Sequence, residues 1–279
     1  MVSEMPREPE RPCPICGGES VFRFTSKHDR RIFECSNRAC GHFFTPVLGE
    51  ADGIVVREAD LERQSAESLA AWDERNTRLL ASLLREVPDP SRRLAFLDFG
   101  AGDAHVSRTF KRLLGDRGTI YCLDANPACG GFYRQHGLVE VGSLEAVPEK
   151  IDVIYMIEVI EHLDNPIASL RRLHGVLASG GIVFLSTPEG SSRPGETNAY
   201  DGRWHLHFFT PRSLGLALEA AGFQRIRFRH HPEMYALPPA GSARRLVHRV
   251  KAAARPWLLP ILRRHVEHGH LVGVTRSRH

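Results

Sequence analysis

The chain has 279 residues, 42% of them hydrophobic and 25% charged, and carries a formal net charge of +4. Such a length holds one sizeable core with a small appendage, and the composition excludes fibrous and low-complexity disordered classes. No apolar run is long enough to span a bilayer, and the opening "MVSEMPREPERP" lacks a secretory apolar stretch, so a cytoplasmic location is expected.

The charge is unevenly spread. Residues 1–50 hold seven basic and seven acidic residues, 51–223 eighteen and twenty-four, and 224–279 twelve and two. The basic excess therefore belongs to the C-terminal end.

In chain order, the first strong signal is four cysteines: Cys13 and Cys16 in "CPICGG", and Cys35 and Cys40 in "FECSNRACGHFF". So short a segment cannot bury enough apolar surface to fold alone, whereas a tetrahedral four-cysteine zinc site supplies the missing free energy. Gly17 and Gly41 stand where tight knuckle turns need glycine. The segment resembles a zinc ribbon, although four residues between Cys35 and Cys40 exceed the commoner two. Structural disulfides are the competing reading, and a cytoplasmic setting favours metal. The equal charges over residues 1–50 argue against phosphate tracking and leave docking or a substrate lid as roles.

"ADLERQSAESLAAWDERNTRLLASLLREV" follows, with Leu61, Leu69, Trp72, Leu79, Leu80, Leu83 and Leu84 at helical intervals, and predicts a helix packed on the next domain and ended by Pro88 and Pro90. From Arg93, short apolar runs alternate with amphipathic helices: "LAFLDFGAG", "TIYCLDANP", "GLVEVGSLE", "IDVIYMIE" and "GIVFLSTPE". The pattern predicts an α/β, Rossmann-like fold with ligands at the carboxyl ends of parallel strands.

"LDFGAGDAH" places Asp98, Gly100 and Gly102 at a strand-to-helix turn, and Asp124 ends the next strand, where a carboxylate can take both ribose hydroxyls. A nicotinamide enzyme would carry a third glycine where His105 stands, so a nucleoside ligand without pyrophosphate fits better.

With these blocks the sequence resembles the class I S-adenosylmethionine-dependent methyltransferases, of the methyltransferase-23 type, over roughly residues 90–230. The resemblance rests also on "VGSLEAVPEKIDVIYMIEVIEHLDNP" and "HLHFFTPRSLGLALEAAGF". It implies a seven-stranded class I fold and S-adenosyl-L-methionine as cofactor. Asp98, Gly100 and Gly102 would hold the methionine part, Asp124 the ribose, Ser143 and Leu144 the adenine flanks, and Ile157 with Glu158 the region beneath the sulfonium. Ala104 departs from the glycine that many members carry.

"YMIEVIEHLDNP" crowds Glu158, Glu161 and His162 where a strand hands over to a helix, and the three- and four-residue spacings predict one shared helical face. Glutamates near a helix N-terminus are also favoured by the dipole alone. The motif is similar to that of ubiquinone-biosynthesis O-methyltransferases and small-RNA 2′-O-methyltransferases. That resemblance implies a second divalent ion (Mg, Mn, Fe or Zn) on Glu158, Glu161, His162 and either His205 or His207. The alternative is metal-free chemistry with His162 or His205 as general base and Glu161 beside it. His28, His42, His230 and His231 are expected on surfaces or in loops, and Cys122 and Cys129 at ordinary buried or helical positions.

"FQRIRFRHH" and "HLVGVTRS" read as the last two strands, joined by a basic amphipathic insertion at 232–268 that could face an anionic substrate, nucleic acid or a membrane surface, or simply cover the acceptor pocket. The expected organisation is a zinc ribbon over 1–50, a helical linker packing on the core over 51–90, and a class I methyltransferase domain over 91–279. The expected function is methylation of a hydroxyl on a small-molecule or glycan acceptor in biosynthesis. RNA 2′-O-methylation and a non-catalytic cofactor-binding interaction protein are the alternatives.

Overall fold

The computed structural model describes residues 11–26, 28–46, 58–190, 205–230 and 270–276. The insertion at 232–268, with its expected lid, nucleic-acid or membrane roles, lies outside the described residues, as does His231.

Near the N-terminus, β1 (Ser20–Thr25), β2 (Arg31–Cys35) and β3 (Phe43–Phe44) form an antiparallel sheet. Gly17 (φ 71°) and Gly41 (φ 57°) adopt the left-handed backbone that lets the two cysteine loops turn back on themselves. The sheet acquires a fourth strand from far along the chain, β9 (His207–Phe208), with Phe43 opposite Phe208 and Phe44 opposite His207. The ribbon is thus stitched to the rest of the molecule by backbone pairing. Cys13, Ile15, Phe33 and Phe44 share one apolar cluster with Phe209 and Leu214.

The central sheet has seven strands: β4 (Leu94–Phe99), β5 (Gly118–Leu123), β6 (Val139–Glu140), β7 (Ile151–Ile157), β8 (Leu177–Pro188), β10 (Gln224–His230) and β11 (His270–Arg276). Their order is β10-β11-β8-β7-β4-β5-β6, with β11 antiparallel to both neighbours. Side chains alternate across this sheet. Val153 and Tyr155 enter the cluster beneath α1 (Glu58–Leu84), α2 (His105–Leu114) and α3 (Cys129–Gln135). Ile154 and Met156 enter the cluster beneath α4 (Pro166–Val176) and α5 (Pro211–Ala220). Burial on both faces is why "IDVIYMI" is almost wholly apolar.

Helix α4 starts at Pro166, capped by Asn165, whose side chain accepts the Ala168 N–H. The strand does not hand over to an α-helix at Glu158, as the spacing predicts. Only a single 3₁₀ turn, Ile160–His162, intervenes. The glutamates and histidine therefore do not share one helical face, because Glu158 lies outside the turn with φ 55° and adjacent residues such as Glu161 and His162 stand about 120° apart around a 3₁₀ axis.

Helix α1 buries Leu61, Leu79, Leu80 and Leu83 at its ends, but Ser65, Arg75 and Asn76 between them. Its middle is docked by polar contacts. Ser68 Oγ donates to Asp103 (2.7 Å), Arg108 donates to Ser65 (2.7 Å), and Arg112 grips both oxygens of Asp73 (2.7 and 2.8 Å).

Candidate functional site

The carboxyl ends of β4, β5 and β7 converge on one rim. After β4 the chain turns through Gly100 (φ 78°), Gly102 (φ 51°) and Ala104 (φ 52°), a succession of left-handed residues before α2. The glycines differ in role. A Cβ on Gly100 would lie 2.5 Å from Val159 Cγ2, so that glycine lets the β4 and β7 loops pack together, and its N–H bonds Leu123 O (2.8 Å). Nothing approaches a Cβ on Gly102, which leaves that backbone open toward a ligand. Ala104 adopts the conformation that a glycine would hold without strain.

Asp124 accepts the N–H groups of Gly102 (2.7 Å) and Asn126 (2.8 Å). A carboxylate has about four acceptor positions, so it is held rigid with lone pairs to spare for hydroxyls. Asp98 lies deeper, 5% exposed, accepting from Ser107 (2.7 Å), whose hydroxyl also meets Tyr155 (2.6 Å). Burial pushes its pKa up to about 7 despite those hydroxyls. Ser143 is extended ahead of a short turn, whereas Leu144 is 2% exposed and packed into the core, offering little surface to a ligand.

At the end of β7, Glu158 has φ 55°, a strained value for a residue with a side chain. Its N–H donates to Ser186 O (3.0 Å) and its carboxylate accepts from the Ser186 hydroxyl (2.8 Å). The Arg75 guanidinium from α1, 7% exposed and stacked over Trp72 (4.9 Å), feels the Glu158 charge; burial lowers its pKa and Glu158 opposes the shift. The sequence reading missed Arg75. The available signal was a cation, followed by Asn76, in the stripe between Trp72 and Leu79.

Glu161 is 1% exposed. Thr187 donates to its Oε2 (3.0 Å), while Oε1 is buried without a hydrogen-bond partner, 3.9 Å from His162 Nε2. Burial, then the nearby Glu158 charge, drives its pKa well above the carboxylate range. The rings of His162 and His205 stand 4.9 Å apart, and Glu161, His162 and His205 each offer a ligand atom within 4.8 Å of the others. An orphaned carboxylate oxygen beside two imidazoles suits either a proton or a divalent ion.

Two nominated residues fall outside this group. Glu158 is engaged by Ser186. His207 bonds Leu163 O (2.9 Å) and His42 (3.1 Å). His42 is itself fully buried against β9, not in a surface loop, because β9 completes the ribbon sheet over it.

In the ribbon, the sulfurs of Cys13, Cys16, Cys35 and Cys40 lie within 4.8 Å of one another, and all four cysteines are free. A tetrahedral zinc site with Zn–S of about 2.3 Å needs sulfurs about 3.8 Å apart; the observed Cys13–Cys40 and Cys16–Cys35 separations are 3.9 and 3.4 Å. The contact with Cys40 lowers Cys13 to about 5, while burial raises Cys35 to about 12. The Cys13 charge adds to the rise at Cys35 and at Cys40, a repulsion that a divalent ion would relieve.

The family described as "Methyltransferase domain" matches residues 71–227, more than half of the chain. The chain belongs to this methyltransferase-domain family. The match begins inside α1, at the turn carrying Trp72 and Arg75.

Among relatives, a ubiquinone biosynthesis O-methyltransferase from Parvibaculum lavamentivorans is 30% identical over 105 residues, 35% of this chain and 42% of that protein. One of the same name from Dinoroseobacter shibae is 26% identical over 160 residues, 50% of this chain and 63% of its own length. These matches span about two fifths to three fifths of the relatives.

Phosphoethanolamine N-methyltransferase 2 from Haemonchus contortus, solved with S-adenosyl-L-methionine, superposes with a TM-score of 0.52 at 13% identity, covering 81% of this chain and 61% of that one. At that identity the likeness is one of fold: the class I methyltransferase fold. In this methyltransferase domain the glycine turn, Asp124 and Glu158 lie at the carboxyl ends of β4, β5 and β7, the edge at which open α/β sheets bind ligands.

Proposed function

We propose that the protein transfers the methyl group of S-adenosyl-L-methionine to a hydroxyl of a small-molecule or glycan acceptor, in the cytoplasm. The observation that carries this reading is the buried Glu161 carboxylate, with one orphaned oxygen beside His162 and His205, at the strand end next to Glu158. The names of the relatives favour oxygen as the methylated atom.

In this reading Asp98, Gly100, Gly102, Asp124, Ser143, Ile157 and Glu158 form the cofactor pocket, with Gly102 and Asp124 facing the nucleoside and Leu144 buried in the core beside Ser143. Arg75 joins the pocket as a fixed guanidinium suited to a carboxylate. The acceptor hydroxyl gives its proton to the Glu161, His162 and His205 group. Its oxygen lone pair then forms the new C–O bond as the methyl–sulfur bond breaks, and the sulfur leaves with that electron pair as S-adenosylhomocysteine. The chain mainly aligns oxygen, carbon and sulfur and supplies the base.

The same donors, Glu161, His162 and His205, would hold a divalent ion (Mg, Mn, Fe or Zn), which would supply Lewis acidity toward an acceptor hydroxyl. Zinc on Cys13, Cys16, Cys35 and Cys40 would be structural.

The test pairs calorimetric titration with S-adenosylmethionine and mass-spectrometric detection of methylated product from a panel of catechols, vicinal diols and simple alcohols, for wild type and Glu161→Gln. Cofactor binding retained in both, with transfer lost only in the variant, is expected. Transfer unaffected by Glu161→Gln would overturn the assignment of the base, and absence of cofactor binding would overturn the enzyme reading.

A second reading, RNA 2′-O-methylation, draws on the ribbon. Residues 11–46 hold six basic and three acidic residues. On edge strand β1, Phe22 is 46% exposed beneath the Arg31 guanidinium (4.5 Å). An exposed ring with an arginine is a platform on which a base can stack. Filter binding of single-stranded RNA at physiological salt separates the readings, since the small-molecule reading expects no retention.

A further inference from the structure

Between Glu161 and the ribbon stands one residue, Leu206. Its N–H donates to Glu161 O (2.8 Å), and its C=O accepts the N–H of Thr45 (2.9 Å). The chain bends at Leu206. His205 joins Glu161 and His162, and His207, two residues on, turns toward the ribbon.

The hydrogen bonds of His207 fix its chemistry. Its Nε2 faces the carbonyl of Leu163 (2.9 Å), so Nε2 carries the proton and Nδ1 is left as an acceptor. His42 Nε2–H must then donate to His207 Nδ1 (3.1 Å), and His42 Nδ1 accepts the hydroxyl of Ser213 (3.2 Å). In this arrangement each imidazole donates once and accepts once, and every donor has its acceptor. Ser213 belongs to the capping box of α5 and accepts the Thr210 N–H (2.9 Å). A directed chain therefore runs from the first turn of α5, through the ribbon, to the turn that carries Glu161 and His162.

We propose that His42 and His207 are positioning residues for the acceptor centre, so that the ribbon holds the Ile160–Leu163 turn and His205 in place and is more than an appended recognition module. Disruption of this chain frees the acceptor centre and leaves the cofactor pocket standing, because among the described residues the Gly100–Ala104 turn and Asp124 take none of their hydrogen bonds from the ribbon. The inference rests on the reading of Glu161, His162 and His205 as the acceptor centre, but its test needs no acceptor.

Hydrogen–deuterium exchange by mass spectrometry on the full chain compares wild type, His207→Leu and His207→Gln. Zinc content and S-adenosylmethionine affinity are measured on the same samples. In His207→Leu, peptides covering 159–164 and 205–209 should exchange at least tenfold faster, while β4 and β5 peptides and cofactor affinity stay within twofold of wild type. Glutamine can still donate to Leu163 O and should restore most of the protection at 159–164.

Unchanged exchange at 159–164 in His207→Leu, or a loss spread equally over β4 and β5, would overturn the proposal. If His207→Leu does not fold, His42→Leu is read by the same criteria. Wild type that binds no S-adenosylmethionine would defeat the methyltransferase reading and leave the exchange comparison intact.

Discussion

Glu158 stands at φ 55°, where a side chain crowds its own backbone by roughly 1 kcal/mol or more. Glycine suffers no such crowding. Glu158→Gly should therefore be more stable than Glu158→Ala by about 1 kcal/mol, the reverse of the usual order, as measured by urea denaturation. Both variants should lose cofactor affinity if the strained carboxylate lies beneath the sulfonium.

Asp98 makes a second residue-level prediction. Its folded pKa of about 7 lies above the ordinary carboxylate value, so the folded state binds a proton that the unfolded chain has already released. The corresponding stability is fully present below about pH 4 and is lost progressively as pH rises toward 7, by roughly 4 kcal/mol at most. Asp98→Asn should flatten that part of the pH–stability curve, read from denaturation midpoints at pH 4.5 and 7.5. Neither residue's environment was legible in the sequence, because backbone strain and burial of one carboxylate are properties of the closed loop. Asp98, Gly100, Gly102 and Asp124, by contrast, can be nominated from the sequence, because they stand where apolar runs end in polar and glycine residues.

The strands and helices were readable because their side chains carry the period of the element. The central strands are apolar on both faces, and α4 and α5 open with Asn165-Pro166 and Thr210-Pro211, whose caps the structure contains. The turn after β7 was misread as helical because its glutamates and histidine happen to repeat at helical intervals. In α1 the apolar ends were legible, but a buried cation in a helix looks like a solvated one. In the proposed role of Arg75, removing its guanidinium would cost a charge-assisted bond to a ligand carboxylate, about 1.5–3 kcal/mol. Arg75→Ala should weaken S-adenosylmethionine binding about ten- to hundredfold in calorimetry, and Arg75→Lys should recover only part of it, because an ammonium lacks the planar fork.

For the whole molecule, the contact that matters most was the least legible. Two strands of two residues each, Phe43–Phe44 and His207–Phe208, join the ribbon to the catalytic domain, and neither is long enough to show a period. The shared apolar cluster makes the ribbon's fold a contribution to the whole. Stripping metal with a chelator should lower the melting midpoint of the entire far-ultraviolet transition by several degrees instead of splitting off an early step. S-adenosylmethionine should still bind below that midpoint. An unaltered midpoint after verified metal loss would show that the ribbon folds without an ion.

Strand β11, residues 270–276, lies between β8 and β10, so the sheet is closed by a segment from near the end of the sequence. During synthesis, β4 to β8 can assemble as they leave the ribosome, but β8 keeps an open edge and β10 lacks this neighbour until residues 270–276 have emerged. A stop codon between residues 231 and 269 would thus release a chain in which β8 and β10 each lack the strand that pairs them. Such a product is a target for aggregation or proteolysis, and it would not survive as a shortened enzyme.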